Sequence, residues 1–192
     1  ARIKISTHFY GEGYNWDHKF FAELPPEERN HYFQETVSRV AQGAKAVGDL
    51  TTKFDTYPGL EEFTVELADY GVAEGKYFYF NLPFSPSLFD VVSEHRSLPL
   101  FISDANEKVI RTVVELPAGY QLTEIAPKSK TLDAPGGSKV HIVEANADGK
   151  CTVMDEFEIV PAIVAPKNYS ALQDIQSTLG EKAMTTFLLE RK

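Results

Sequence analysis

Short segments in which apolar and polar residues alternate recur along this chain, and turn-forming residues separate them. In the first segment, residues 2–10, every second side chain falls on one face: Ile3, Ile5, Thr7 and Phe9. A period of two residues is typical of a strand with one buried face, because successive side chains point to opposite sides of a sheet. This pattern limits the chain to folds that are built mainly from strands.

Further segments of the same kind occupy residues 50–54, 62–67, 76–80, 109–116, 139–144, 151–159 and 185–190. Asp148-Gly149 stands between two of them, and Asp-Gly is a strong signal for an antiparallel hairpin. Many short strands with frequent turns predict a mainly β chain of β-sandwich architecture, with immunoglobulin-like subdomains.

Two helices interrupt this pattern. Residues 25–43 begin with prolines and glutamates, which suit the first turn of a helix, and an apolar stripe follows at helical spacing: Phe33, Val37, Val40 and Ala44. Gly43 is placed to end this helix. A second helix is predicted near residues 168–180.

The irregular, proline-containing stretch at residues 83–96 is the best candidate for a boundary between two parts of the chain. We expect a β-rich subdomain with a helical insertion at residues 1–90, and a β-sandwich subdomain with a C-terminal helix at residues 91–192. Because no low-complexity linker separates them, the two subdomains are expected to pack on each other.

The charge balance narrows the range of partners. The chain has 28 Asp and Glu against 19 Lys and Arg, a net charge of −9, which repels nucleic acid and anionic membrane surfaces. No apolar run approaches the roughly 18 residues that a membrane span needs, so we expect no membrane insertion. The chain opens at Ala1 without a Met or a signal peptide, and we interpret it as a piece of a longer protein.

One motif approximates a calcium-binding loop. Its candidate oxygen ligands are Glu144, Asn146, Asp148 and Asp155. The spacing resembles that of an EF-hand, but Glu replaces the first Asp, Asp replaces the final bidentate Glu, and strands replace the flanking helices. A hairpin turn explains the same residues, so neither a metal nor any other cofactor is expected.

Cys151 is the only cysteine, and with His141 and an acid it could form a thiol triad. However, Cys151 opens an alternating strand beside an acidic run, where nothing lowers the pKa of a thiol, and we expect a structural cysteine. The five histidines lack metal-ligand spacing. The acids at residues 61–62 and 155–158 are expected on a solvated strand face, and no catalytic residue is predicted.

The aromatic run at residues 77–80 has two interpretations. Large aromatic side chains dominate protein cores, which favours a central strand buried on both faces. Exposed rings on a β-sandwich could instead stack on sugars or pack on peptides. This second interpretation makes a glycan- or peptide-binding module the alternative function.

Several short motifs occur in a familiar order. They are Tyr10-Gly11, residues 24–29 with Tyr32, Tyr79-Phe80, residues 96–100, residues 115–120 with 125–127, residues 168–172 and residues 187–190. This order resembles the C-terminal region of bacterial, Bacteroidetes-type, transglutaminase-like envelope proteins, in which domains of unknown function flank a transglutaminase-like core.

The resemblance implies a fold and a setting rather than a catalytic site. In that family the Cys-His-Asp machinery belongs to the core upstream, and no residue here matches it. The resemblance implies a periplasmic or cell-envelope location in a Gram-negative bacterium. It also implies a non-catalytic accessory module that packs on the upstream core of the same chain.

Overall fold

The structure is a computed structural model that describes residues 1–68, 70–82, 95–123, 128–145, 149–180 and 185–191. Of these described residues, 48% lie in strands and 26% in helices. Several antiparallel sheets and three α-helices are present. The prediction of a mainly β chain with helices is therefore confirmed.

The strands, in chain order, are β1 (Arg2–Tyr10), β2 (Lys45–Ala46), β3 (Thr51–Lys53), β4 (Gly59–Glu66), β5 (Val72–Glu74), β6 (Tyr77–Asn81), β7 (Leu100–Ile102), β8 (Asn106–Glu115), β9 (Tyr120–Leu122), β10 (Lys130–Ala134), β11 (Gly137–Ala145), β12 (Lys150–Ile159), β13 (Ala162–Val164) and β14 (Thr186–Arg191). Each segment that alternation predicted as a strand overlaps one of these elements.

The helices are α1 (Gly11–Glu23), α2 (Pro26–Val40) and α3 (Tyr169–Gly180), and a single 3₁₀ turn precedes α3. Helices α2 and α3 confirm the two predicted helices. No helix of the described residues combines the length and apolarity that a membrane crossing requires.

An eight-stranded antiparallel sheet forms the larger layer. Its strands run in the order β10-β11-β12-β8-β1-β4-β2, and β3 also pairs with β4. Strand β1 lies in the middle, where Ile5 is opposite Phe63 on one side and Thr112 on the other. Ile3, Ile5 and Thr7 on the inner face of β1 are buried, as the alternation predicted, whereas Phe9 near the end of the strand is half-buried.

A four-stranded antiparallel sheet, β5-β6-β14-β9, packs against the larger one. The main hydrophobic cluster contains Ile3 and Val65 from the large sheet together with Phe80 and Phe187 from the small one. A separate two-stranded sheet pairs β13 with β7. A second cluster lies beneath α3 and includes Phe157, Tyr169 and Leu172.

Helix α1 was not predicted from the sequence. It follows β1 directly, at Gly11, whose φ of +56° favours glycine. A Cβ atom on Gly13 would lie 2.6 Å from the side-chain oxygen of Asn106, so this glycine lets the helix approach the beginning of β8. Gly11 and Gly13, which the sequence marks as the end of β1, therefore also let α1 pack closely on the sheet, although the sequence of α1 has little amphipathic character.

The predicted boundary between residues 90 and 91 lies outside the described residues, and the division into two subdomains stays a prediction. Strands from both sides of that boundary share sheets. The large sheet joins β1–β4 to β8 and β10–β12, and the small sheet joins β5 and β6 to β9 and β14.

Candidate functional site

A row of polar side chains crosses the inner face of the large sheet. Because residues directly opposite each other share a face, the strand pairing places Glu61, Thr7, Ile110, Asp155 and His141 side by side across five strands. Only Ile110 in this row is apolar. Two lysines lie on the same face, each two residues along its strand from this row: Lys108 on β8 and Lys139 on β11.

We call the polar members of this set the polar band: Thr7, Glu61, Lys108, Lys139, His141 and Asp155. The band separates the two hydrophobic clusters. Along β12 alone, Val153 belongs to the first cluster, Asp155 to the band and Phe157 to the second cluster. Charged groups in such a position need partners, because burying an unpaired charge is costly.

On β11 and β12, Asp155 contacts two basic side chains. Its Oδ1 atom lies 2.7 Å from Nδ1 of His141 and 3.0 Å from Nζ of Lys139. Burial alone would raise the pKa of Asp155, but the hydrogen bond from His141 and the charge of Lys139 outweigh it and hold that pKa below its usual value. Burial lowers the pKa of Lys139, and Asp155 only partly offsets this effect.

The His141 side chain is only 4% exposed. Its Nε2 atom is buried and has no hydrogen-bond partner among the described residues. An acid bound to Nδ1 orients an imidazole ring as it does in catalytic triads. The arrangement can therefore orient His141, but a triad also requires a nucleophile beside Nε2.

Cys151 does not supply that nucleophile. It lies four residues before Asp155 on the same strand, about 14 Å away at roughly 3.4 Å per residue. The thiol is fully buried in the first hydrophobic cluster, and burial raises its pKa to about 11. This geometry supports the prediction that Cys151 is a structural residue.

At the other end of the band, Tyr32 of α2 donates a hydrogen bond to Glu61, with Oη 2.5 Å from Oε2. Burial raises the pKa of Glu61, although Tyr32 and Lys108 act in the opposite direction. Burial likewise lowers the pKa of Lys108, and the nearby charges of Glu61 and Asp17 raise it by less. This end of the band can hold a proton on Glu61 above the usual pH range of a glutamate.

The sequence interpretation of these acids was partly wrong. Glu61 and Asp155 were expected on solvated faces, whereas Glu61 is 6% exposed and Asp155 faces inward. Their neighbours Glu62 and Glu156 lie on the outer face, as expected. The alternation pattern contained the information that these two acids face inward, because Glu61 lies two residues from the buried Phe63 and Asp155 lies two residues from the buried Val153.

The structure describes only two of the four calcium candidates, Glu144 and Asp155. Asn146 and Asp148 lie outside the described residues. Glu144 is opposite Thr152, on the face of the sheet that Asp155 does not share. Among the described residues, no group of three or more His, Cys, Asp or Glu side chains is arranged to hold a metal ion.

The aromatic run divides between the two faces of β6. Phe78 and Phe80 point into the first cluster, where Phe80 stacks on Phe187 with ring centroids 5.3 Å apart. Tyr77 and Tyr79 are exposed on the opposite face. Each of the two interpretations therefore describes half of the run.

Apolar side chains are also exposed on the two-stranded sheet. Phe101 of β7 and Ile163 of β13 are directly opposite each other and are 72% and 73% exposed. Leu98, just before β7, is exposed to the same extent. We call these three residues the apolar patch. Their neighbours Leu100, Ile102 and Val164 face the second cluster, so this small sheet is apolar on both faces.

The comparisons with known proteins give one match. Residues 76–189 match the family described as Domain of Unknown Function with solved-structure structure (DUF3858). The match extends from the turn before β6 to Leu189 of β14, and it includes the apolar patch, His141 and Asp155. No curated protein and no solved structure matches the chain significantly. Because the match covers more than half of its residues, the chain belongs to the DUF3858 family, a domain of unknown function.

Proposed function

We propose that this chain is a non-catalytic accessory module of a larger transglutaminase-like protein, and that it packs on the catalytic core of that protein and supports it. The observation that carries the proposal is the apolar patch. Soluble proteins seldom leave neighbouring large apolar side chains this exposed unless the surface contacts a partner.

The position of the patch suits such a contact. Phe101 and Ile163 form a cross-strand pair, so their side chains present one continuous surface. The opposite face of the strands that carry them packs against the second cluster, beneath α3. A rigid, preorganised apolar surface loses little conformational entropy when it binds.

The proposal is tested by adding this chain to the separately expressed upstream core and measuring binding by calorimetry and the melting temperature of the core. We expect binding and a higher melting temperature. In the double variant Phe101→Ser, Ile163→Thr we expect affinity to fall at least about tenfold, because buried aromatic anchors carry much of the binding energy of an interface.

A matched control changes exposed apolar residues elsewhere. The double variant Val72→Thr, Tyr77→Ser alters the outer face of the small sheet, where both side chains are exposed. It should bind the core like the wild type. Equal loss in both double variants, or no binding by the wild type, would contradict the proposal.

A second candidate function is supported by Tyr77 and Tyr79. Both rings lie on the outer face of β6, where they are 39% and 37% exposed, and aromatic faces of this kind stack on sugar rings. The module would then bind a glycan. A glycan array in which no sugar is retained by the wild type, or in which Tyr77→Ala and Tyr79→Ala variants bind equally well, would eliminate this candidate.

We also propose a periplasmic or cell-envelope location in a Gram-negative bacterium, which follows from the resemblance to transglutaminase-like envelope proteins. Fractionation of cells that express the tagged full-length protein tests this location. Recovery of the protein with cytoplasmic markers would contradict it.

A further inference from the structure

The two lysines of the polar band differ in their partners. Lys139 is paired with Asp155, with Nζ 3.0 Å from Oδ1. Lys108 lies on the same face of the sheet, but the described part of the chain offers its Nζ atom neither a hydrogen bond nor an ion pair. The amine of Lys108 is therefore free to act as a nucleophile, whereas that of Lys139 is not.

The neighbours of Lys108 in the sheet are aromatic. Phe9 of β1 and Phe157 of β12 are directly opposite it on either side. Nζ lies over the Phe9 ring, 4.8 Å from the ring centroid. A ring face attracts an ammonium, but it does not replace the acceptors that the three N–H groups of a lysine bind in water. Burial lowers the pKa of Lys108, so more of its amine is uncharged near neutral pH than for an exposed lysine.

Two acids lie near this amine without pairing with it. Asp17 of α1 and Glu61 of β4 are close enough for their charges to act on Lys108, yet neither forms a hydrogen bond or an ion pair with it. Burial raises the pKa of both carboxyls, so each keeps its proton to a higher pH than an exposed acid does. An amine and two proton donors that are held apart are the groups that addition to a carbonyl compound requires.

The amine of Lys108 is also accessible. Lys108 and Asp17 are half-buried, and Nζ of Lys108 is not among the fully enclosed unpaired atoms of the described residues. The side chain of Lys139, by contrast, is only 7% exposed. A small molecule can therefore reach Lys108 without any opening of the sheet.

We propose that Lys108 is a covalent binding site for a small uncharged aldehyde, which its amine captures as an imine next to Phe9, Asp17 and Glu61. An aldehyde suits the site because the formation of an imine needs an acid that protonates the departing hydroxyl group, and the two carboxyls supply it. An uncharged aldehyde is favoured over a keto acid, because the nearby carboxylates and the net charge of −9 repel an anion.

The reaction balances without a further reactant. The lone pair of Nζ forms a bond to the carbonyl carbon, and a proton moves from nitrogen to oxygen to give a carbinolamine. A carboxyl of Asp17 or Glu61 protonates the hydroxyl group, which leaves as water while the C=N bond forms, and the carboxylate then recovers a proton from nitrogen. One water is released, and nothing is oxidised or reduced.

The test treats the folded chain with benzaldehyde and sodium cyanoborohydride, which reduces the imine to a stable amine, and locates the products by peptide mass mapping. At pH 7 we expect Lys108 to be labelled at least about tenfold faster than any other lysine, because an amine of lower pKa is less protonated. Lys139 is the internal control on the same face. The anion 4-carboxybenzaldehyde should label Lys108 several-fold more slowly than benzaldehyde does.

Two variants with the same change of charge test the surroundings of the amine. Asp17→Asn removes a charge that raises the pKa of Lys108, so the midpoint of the pH profile of labelling should move to lower pH. Glu23→Gln alters an exposed acid at the end of the same helix, and it should leave the midpoint unchanged.

Four results would overturn the proposal: Lys108 is labelled no faster than the exposed lysines; Lys139 is labelled as fast as Lys108, which would mean that the sheet opens; the anionic aldehyde labels Lys108 as fast as benzaldehyde; or Asp17→Asn moves the midpoint no more than Glu23→Gln. The upstream core is absent from all of these reactions, so their outcome is independent of the accessory function proposed above.

Discussion

Nδ1 of His141 lies 2.7 Å from Oδ1 of Asp155, on the inner face of the large sheet between two hydrophobic clusters. The same oxygen lies 3.0 Å from the ammonium of Lys139. A single carboxylate thus compensates two buried basic groups. The stability of this part of the sheet depends on keeping that carboxylate ionised.

The first prediction concerns the loss of this charge. We expect Asp155→Asn to lower the free energy of unfolding at pH 7 by about 3 kcal/mol, because it leaves the buried Lys139 without its counter-charge. Urea denaturation measures the change. Asp133→Asn, at an exposed position on β10, is the matched control and should change stability by less than about 0.5 kcal/mol.

The pH dependence of the same pair has a definite sign. Because the pKa of Asp155 is lowered from 3.8 in the folded state, its stabilisation is present above pH 3.8 and is lost as the pH falls through the folded pKa. The difference between wild type and Asp155→Asn should therefore shrink below pH 3.8. A difference that stays constant across that range would contradict this origin of the effect. The double variant Asp155→Asn, Lys139→Met removes both charges and should regain part of the lost stability; if it does not, the unpaired charge of Lys139 is not the cause of the loss.

The second prediction concerns Glu61, whose pKa is raised from 4.5 by burial. A raised pKa means that the folded state binds the proton more tightly, so the associated stabilisation is complete below pH 4.5 and is lost as the pH rises through the folded pKa. Glu61→Gln keeps an acceptor for Tyr32 and removes the titration. We expect it to be more stable than the wild type at pH 8 and of similar stability at pH 4, by urea denaturation at both values.

Glu74→Gln is the control for that measurement, because Glu74 is exposed on β5. As a substitution at an exposed position, it should change the free energy of unfolding by less than about 0.5 kcal/mol. If Glu61→Gln were instead less stable than the wild type at pH 8, the ionised form of Glu61 would be the one that the folded state favours.

The third prediction concerns the reactivity of Cys151. The thiol is fully buried, and burial raises its pKa to about 11, so little thiolate forms at pH 8 and reagents cannot reach it. Ellman's reagent should therefore label the native chain at the rate of unfolding and the urea-unfolded chain at once. Rapid labelling of the native chain would show that the thiol is accessible and reactive.

The fourth prediction concerns the buried face of the small sheet. Phe187 is fully buried and stacks on Phe80, so Phe187→Ala should cost about 3–5 kcal/mol of unfolding free energy in chemical denaturation. Tyr79→Ala, on the exposed face of β6, should cost less than about 1 kcal/mol. Equal costs for the two variants would mean that the stacked pair does not contribute more to the core than an exposed ring of the same strand pair.

Much of the fold could be predicted because its signals are local. The alternation of Ile3, Ile5 and Thr7 identified β1, and the prolines and glutamates at the beginning of α2 identified that helix. Helix α1 escaped prediction because only Phe21 among its side chains is buried, so it has almost no apolar stripe. It is stabilised by packing next to β1 and β8, which cannot be inferred from a window of sequence.

The polar band escaped prediction for a different reason. Glu61, Lys108 and His141 each appear in the sequence as isolated polar residues in a strand, and such residues are usually solvated. Strand order across the large sheet places them on one face between two hydrophobic clusters. The perturbed pKa values of Glu61 and Lys108 arise from that assembly.

The sequence by itself determined most of the strands, the helices predicted near residues 25–43 and 168–180, and the acidic balance, because these depend on spacing and composition within short stretches. Only the tertiary structure decided which strands are neighbours, which face of β6 is buried, and where charged side chains meet. Those properties depend on pairing between distant segments, such as β1 with β8, and long-range pairing is set by how the whole chain buries its apolar surface.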